Sequence, residues 1–244
     1  DGADIITASA GTSNFRAGVN AGNSIASGGT FNVAVGDESG TAITTGDHNV
    51  AVGYESLKTE DAHGHNTAVG SQALKTLNAG ADGKNTAVGA FAGKLMTEGV
   101  QNTLIGGLAG DALTHADFNT VVGYQALSAD TLGHRSTAIG YSALNAQNFA
   151  SSTNSNNTAV GYHSGLSVST GIRNTIIGSE AGDALTDADD NVAIGALALS
   201  ADRKGNKATA IGRGALKVQD FSGSTDSNNT AVGYSAGESV TTGQ

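Results

Sequence analysis

Apolar and polar residues alternate in a short phrase that returns along the whole chain. Its clearest copy is Asn119-Thr120-Val121-Val122-Gly123-Tyr124-Gln125-Ala126-Leu127. With Asn119 as position one and Leu127 as position nine, twelve copies can be read. The glycine of position five falls at Gly36, Gly53, Gly70, Gly89, Gly106, Gly123, Gly140, Gly161, Gly178, Gly195, Gly212 and Gly233. Successive separations are 17, 17, 19, 17, 17, 17, 21, 17, 17, 17 and 21 residues. A fixed short period of this kind means stacked structural units, each too small to bury a core alone.

The positions differ in what they tolerate. Position four is Val or Ile in every copy and position two is Thr or Val, as at Val50, Thr67, Thr120 and Val192. β-Branched residues two apart share one face of a strand. Position three is usually Ala, with Leu104, Val121 and Ile176 as larger versions. The pattern predicts a short strand buried on both faces, with the larger face at positions two and four and a tighter one at three. The glycine at position five disfavours a helix. It predicts either a positive φ or a neighbour too close for a Cβ. Asn holds position one except at Ser136 and Ala208. Stacked amides can form a ladder along the stacking axis, or Asn can simply supply turn geometry before each strand.

Positions eight and nine open a second apolar segment, read as a second short strand of each rung. Position eight is Ser or Ala. Position nine switches between residue types in the order Gly40, Leu57, Leu74, Gly93, Gly110, Leu127, Leu144, Gly165, Gly182, Leu199, Leu216, Gly237. This is a higher-order period of four units, and the stretch from Gly123 to Gly161 recurs 72 residues later at Gly195 to Gly233. The sequence gives no physical reason for the four.

The predicted architecture is therefore all-β, a repetitive parallel β-solenoid or β-roll of about 17-residue units. Residues 1–31 form an irregular lead-in, with a degenerate copy at Asn14 to Gly22 that reads equally as a capping rung or a linker. Residues 32–244 carry the twelve-unit array. At about 4.8 Å per rung the array predicts a rod roughly 60 Å long. Its core is thin, and a flat Ala-rich position three suits close packing, so self-association is expected. Variable pieces between phrases absorb the length differences and predict solvent-facing loops. The longest, near 145–156 and 217–228, are where recognition of a partner is first expected.

Composition narrows the function classes. The chain has 36 Gly and no Pro, which without a triplet period excludes collagen. Only 14% of residues are charged while Val, Ile, Ala and Leu recur in register, which argues against disorder. The formal net charge is −10 and no stretch is rich in Lys or Arg, so nucleic-acid binding is not expected. The acidic surface suits solubility. No cysteine is present, so the redox compartment cannot be read. No secretory signal is recognised, and the apolar runs are too short for membrane insertion. The chain stops at Thr242-Gly243-Gln244, where the next phrase is due, as a piece of a longer array would.

The phrase Asn-Asn-Thr-Ala-Val-Gly-Tyr, at Asn156 to Tyr162 and again at Asn228 to Tyr234, resembles the repeats of phage tail fibres and related surface fibres. Such fibres often end in a self-cleaving chaperone of the endosialidase type. Copies such as Asn191-Val192-Ala193-Ile194-Gly195 are also similar to the Asn-x-x-Ala-Ile-Gly phrases on the β-roll heads of trimeric autotransporter adhesins. The resemblance covers nearly the whole chain from Asn32. It departs from the adhesin heads in period, since their units are shorter, and this favours the fibre relatives. It implies a parallel homotrimer that attaches to, or supports attachment to, a host-surface glycan or protein. The implied location is the virion or a cell surface.

Candidate chemistry is sparse. No Ser, His and Asp set proposes a triad, and no Gly-rich stretch continues into a phosphate-binding Gly-Lys-Ser/Thr. An enzyme is not expected, and no catalytic, cofactor-binding, metal or receptor-binding residue is assigned. His63-Gly64-His65 is the most tempting metal feature. On a trimer axis it would gather six imidazoles round a transition metal, as in some trimeric phage needles, but exposed loop histidines are the plainer reading. Asp183, Asp187, Asp189 and Asp190 could gather round Ca²⁺, against the plainer reading of solvated turns. Tyr54, Tyr124, Tyr141, Tyr162 and Tyr234 share position six, where they could stack on sugars or on one another. An ice-binding solenoid is a third reading, from aligned Thr67, Thr86, Thr103 and Thr120. Val33, Val50 and Val192 interrupt that row, and position two is expected to face inward.

Overall fold

A computed structural model describes residues 9–243; the first eight residues of the lead-in and Gln244 lie outside it. Among the described residues there is no helix, and every strand pairing is parallel. Contacts divide the chain into two compact units, one up to Ala116 and one from Asp117.

In the first unit the strands are β1 (Phe15–Ala17), β2 (Val33–Val35), β3 (Val50–Val52), β4 (Thr67–Val69), β5 (Thr86–Val88) and β6 (Thr103–Ile105), paired in chain order. In the second, β7 (Thr120–Val122), β9 (Thr137–Ile139), β11 (Thr158–Val160), β12 (Thr175–Ile177), β13 (Val192–Ile194), β15 (Thr209–Ile211) and β17 (Thr230–Val232) pair in that order. Like positions meet, as in Val33↔Val50 and Ala34↔Ala51. β8 (Gly133–His134) pairs with β10 (Thr153–Asn154), and β14 (Gly205–Asn206) with β16 (Thr225–Asp226). The fold is a parallel β-solenoid whose rungs follow the sequence period.

The strand is buried on one face and not on both as expected, and the inward face is that of position three, not that of positions two and four. Position three is the buried one: Ala34, Ala51, Ala68, Ala87, Leu104, Val121, Ala138, Ala159 and Ile176 are all 0% exposed. Positions two and four point outward and are half-buried or exposed, with Val88 at 37% and Ile105 at 39%. The inside of so small a rung has room for a methyl group at most places, so the larger β-branched side chains go outside.

Both demands foreseen for position five are present. In the paired rungs its glycines have φ between +119° and +142°. A Cβ on Gly36, Gly53, Gly70 or Gly89 would lie within 2.8 Å of backbone carbonyl atoms of the next rung's glycine. The second apolar segment is not a strand. It is a run of turns, with the residues of positions seven and nine in the left-handed region, such as Gln125 (φ 55°) and Leu127 (φ 51°). The residue before position one is left-handed too, as at His48 (φ 56°) and Phe118 (φ 61°). Such angles are strained for non-glycine residues. Inter-rung hydrogen bonds hold them: Glu55 N–H donates to Asp37 O at 2.9 Å, Leu57 N–H to Ala73 O at 2.9 Å, and His65 N–H to Asp47 O at 3.0 Å.

Position nine now has a physical account. Leu57, Leu74, Leu127, Leu144 and Leu199 fill the core opposite position three at 0% exposure. In the glycine units the same space is filled from three residues further on, by Ile43, Met96, Leu113, Val168 and Leu185. A Cβ at Gly40 would come within 2.8 Å of Ile43 Cδ1, and one at Gly110 within 2.7 Å of Leu113 Cδ1. Close packing permits one or the other. Where leucine takes the space, the residue three further on is free to be Glu60, Leu77, Asp130, Gln147, Asp202 or Gln219, all buried at 0% exposure.

Candidate functional site

Position one forms the amide ladder. Within each compact unit an Asn Oδ1 accepts the backbone N–H of the position-one residue of the next rung, as for Asn49 N–H to Asn32 Oδ1 at 2.9 Å and Asn191 N–H to Asn174 Oδ1 at 3.0 Å. In the 17-residue units Nδ2 donates to the carbonyl fourteen residues on, as for Asn32 to Gly46 O at 2.7 Å, Asn102 to Ala116 O at 2.8 Å, and Asn174 to Ala188 O at 2.7 Å, whereas in the 19-residue unit Asn66 Nδ2 turns back to Gly64 O at 3.3 Å. Asn14 joins through Asn32 N–H at 2.8 Å. Side chain also meets side chain at Asn85–Asn66 and Asn102–Asn85, both 3.2 Å. Apart from the half-buried Asn14 and Asn229 these asparagines are buried, and their role is structural.

The two exceptions open the two 21-residue units. There the carbonyls fourteen residues on belong to Ala150 and Ser222, which are exposed. A buried glutamine enters instead. Gln147 Nε2 donates to Asp130 Oδ2 at 2.6 Å and to Ser136 Oγ at 2.8 Å, while its Oε1 accepts from Asn157 Nδ2 at 2.8 Å. Gln219 likewise joins Asp202 and Asn229. The long loops are therefore largely built into the stack, with Phe149 and Phe221 only 5% and 6% exposed. Their exposed tips are Ala150-Ser151-Ser152 and Ser222-Gly223-Ser224, which offer neither charge nor aromatic rings to a partner.

The aspartates proposed for Ca²⁺ go to separate partners. Asp187 Oδ1 accepts from Thr186 Oγ1 at 2.9 Å, and Asp189 Oδ1 from Ile172 N–H at 2.8 Å. Asp190 takes Arg173 through two bonds of 2.6 and 2.8 Å. Asp183 does not join them.

Four of the tyrosines of position six are about half exposed and Tyr234 is 73% exposed; three of the five stack on one another. Tyr124–Tyr141 and Tyr141–Tyr162 have ring centroids 5.9 and 5.6 Å apart. Facing rings at this spacing leave no room for a sugar between them, so the column presents edges and hydroxyls. Arg213 lies 5.8 Å over Tyr234.

His63 and His65 diverge. His65 stacks on His48 at 5.1 Å, with His48 on Phe31 at 5.0 Å, and its Nε2 lies 3.8 Å from Asp82. His63 turns to the buried Glu60 instead, with Nδ1 3.7 Å from Oε1. Among the described residues, the one group of three or more such side chains with clustered ligand atoms is Glu60, Asp61 and His63, all within 4.8 Å. Sequence reading passed over it. The available signal was an acid three residues beyond Leu57, Leu127 and Leu199 alike.

Burial pushes the Glu60 carboxyl up to about 7, against partial relief from the backbone N–H groups of Ala79 and His63. A folded-state value above the unfolded one means the native state holds the proton more tightly. That contribution to stability is complete below about pH 4.5 and is lost as pH rises through about 7. We expect the urea midpoint in metal-free buffer to fall between pH 5 and pH 8, by an equivalent on the order of 2–3 kcal/mol. Glu60→Gln should flatten that slope; an unchanged slope would remove Glu60 as its source. Glu55 shows the opposite case. Lys58 and Lys75, 2.7 and 2.6 Å away, hold its carboxyl down to about 2.

What this geometry defines is a class, the parallel β-solenoid of roughly 17-residue rungs. No protein-family model, curated protein or solved structure matches the chain.

Proposed function

We propose that the chain is a structural segment of an attachment fibre, of the phage tail-fibre kind, assembled as a parallel homotrimer. The observation that carries this reading is the outward strand face. Positions two and four of β2–β6 supply ten residues, two from each of five strands, and those of the second unit fourteen, two from each of seven. All are Thr, Val or Ile, in a chain with 34 charged residues, 12 basic and 22 acidic. Contiguous uncharged β-branched surface of this kind marks an association face, and identical copies in register would cover it. The assembly would then use this face, not the Ala row, which is already buried within each rung. Host-surface glycan or protein contact would fall to exposed columns and loops. The head of a bacterial trimeric adhesin is the alternative setting for the same assembly.

The outward Thr67, Thr86 and Thr103 also favour a second reading, an ice-binding face, since the objection that position two faces inward falls away. The two readings compete for one surface. Mass in solution should correspond to three chains, and Ile105→Asp with Ile177→Asp should give folded monomers, because both side chains are already partly solvated. A stable wild-type monomer would sink the fibre reading. A monomer with thermal hysteresis would establish the other.

A further inference from the structure

We propose that Glu60, Asp61 and His63 bind a transition-metal dication of the zinc type. The inference is independent of the fibre reading and rests on comparing three equivalent places in the one chain. Six residues beyond Leu127 and Leu199 stand Gly133 and Gly205, whereas His63 occupies that place beyond Leu57. No side chain fits at the two glycines: a Cβ would lie 2.1 Å from Asp130 Oδ2 at Gly133 and 2.2 Å from Asp202 Oδ2 at Gly205. Phe149 and Phe221 crowd the same points at 2.9 and 2.8 Å. Around His63 the neighbours are changed together. Ala79 replaces the phenylalanine, and Leu77 replaces the glutamine whose amide completes Asp130 and Asp202.

The exchange leaves two groups short of partners. Glu60 is fully buried, yet it accepts only two long bonds of 3.3 Å, from the N–H groups of His63 and Ala79. Nδ1 of His63 is buried and has no hydrogen-bond partner, although it lies 3.7 Å from Glu60 Oε1. Two ligands about 2.1 Å from one ion, at an angle of about 110–120°, are about 3.4–3.6 Å apart. A shift of a few tenths of an ångström would therefore seat both. The exposed carboxylate of Asp61 supplies a third donor and an entrance, and the remaining position is left for water. One imidazole with two carboxylates suits Zn²⁺ or Co²⁺ better than Ca²⁺ or Mg²⁺, which gather six or more oxygens. The loop is pinned on its other side, where Asp61 O accepts from Thr44 N–H at 2.7 Å and His63 O from Asn49 Nδ2 at 3.0 Å. The donors are thus held before any ion arrives.

The test is a Co²⁺ titration of the chelator-treated full chain, followed by visible absorbance and then displaced with Zn²⁺. One equivalent per chain is expected to give a saturable band that Zn²⁺ abolishes. Affinity should fall at least tenfold in His63→Gly, which restores the residue of the sibling units, and in Glu60→Gln, but not in His65→Ala. Thermal unfolding of each variant checks that its fold is retained. No saturable band in the wild type would overturn the proposal and leave Glu60 and His63 sharing only a proton. A band that survives His63→Gly and disappears in His65→Ala would overturn it equally.

Discussion

Gly140→Ala should cost about 3–5 kcal/mol of stability, far more than one methyl group ordinarily does. At φ +135° only glycine is at ease, and the new Cβ would lie 2.3 Å from Gly161 O and 2.7 Å from its carbonyl carbon. Both are backbone atoms of the next rung, so no rotamer change relieves the contact. The rungs must part, and with them the bonds from Gly161 N–H to Ile139 O at 2.8 Å and Thr137 N–H to Asn157 O at 2.8 Å. Gly182→Ala is the control. Its φ of +50° is an angle that leucine adopts at the same position in six other units, and the closest atom is the mobile Leu185 Cδ1 at 2.8 Å. That substitution should cost about 1–2 kcal/mol. Chemical denaturation of the two variants decides it: equal losses would mean that the close approach of rungs at position five is not what requires glycine.

The contrast between these glycines also shows where the sequence was legible. Position five admits one residue type because two constraints coincide there, so its invariance could be read directly as backbone geometry. Position nine admits two types because its space is shared with a residue three places on. That trade is invisible until both are known to face the same core, so in the sequence the Gly40/Leu57 switch shows only as an order of residue types. The inversion of the strand has a similar origin. Val33, Ala34 and Val35 are all apolar, and a period of two does not say which face is inside. Side-chain size pointed the wrong way, because the interior of a 17-residue rung is too narrow for rows of valine. Left-handed angles at Leu57 or Glu55 leave no mark in hydrophobic patterning, so their run of turns reads as a strand. The cluster at Glu60 was obscured differently. Its neighbours His63-Gly64-His65 form a conspicuous motif, while the partner that matters is a buried acid recognisable only by alignment with Asp130 and Asp202.

The ladder leads to the second large effect. Asn174→Asp should destabilise the fold by about 3–5 kcal/mol at pH 8 and by markedly less near pH 4. Asn174 is fully buried; its Nδ2 donates to Ala188 O at 2.7 Å and to Asn157 Oδ1 at 3.3 Å, while Oδ1 accepts from Asn191 N–H at 3.0 Å. Aspartate keeps the acceptor but sets an oxygen against two oxygens. Ionised, it is a buried charge facing two acceptors; protonated, its hydroxyl can donate to Ala188 O. The folded-state pKa must therefore rise above the unfolded one. The variant's stability deficit then grows as pH climbs from the unfolded value through the folded one, and shrinks on acidification. Asn174→Ala separates charge from lost bonding. It leaves Ala188 O and Asn191 N–H unpaired at about 1–3 kcal/mol each, with no such pH dependence. Ala208 is tolerated at the same position because the following unit is longer, its carbonyl at Ser222 is exposed, and Gln219 Oε1 takes the amide of Asn229 at 2.8 Å. Asn174 has no such substitute. Denaturation midpoints of both variants from pH 4 to pH 8 measure the difference, and parallel curves would mean that the amide's donor half is not what the ladder depends on.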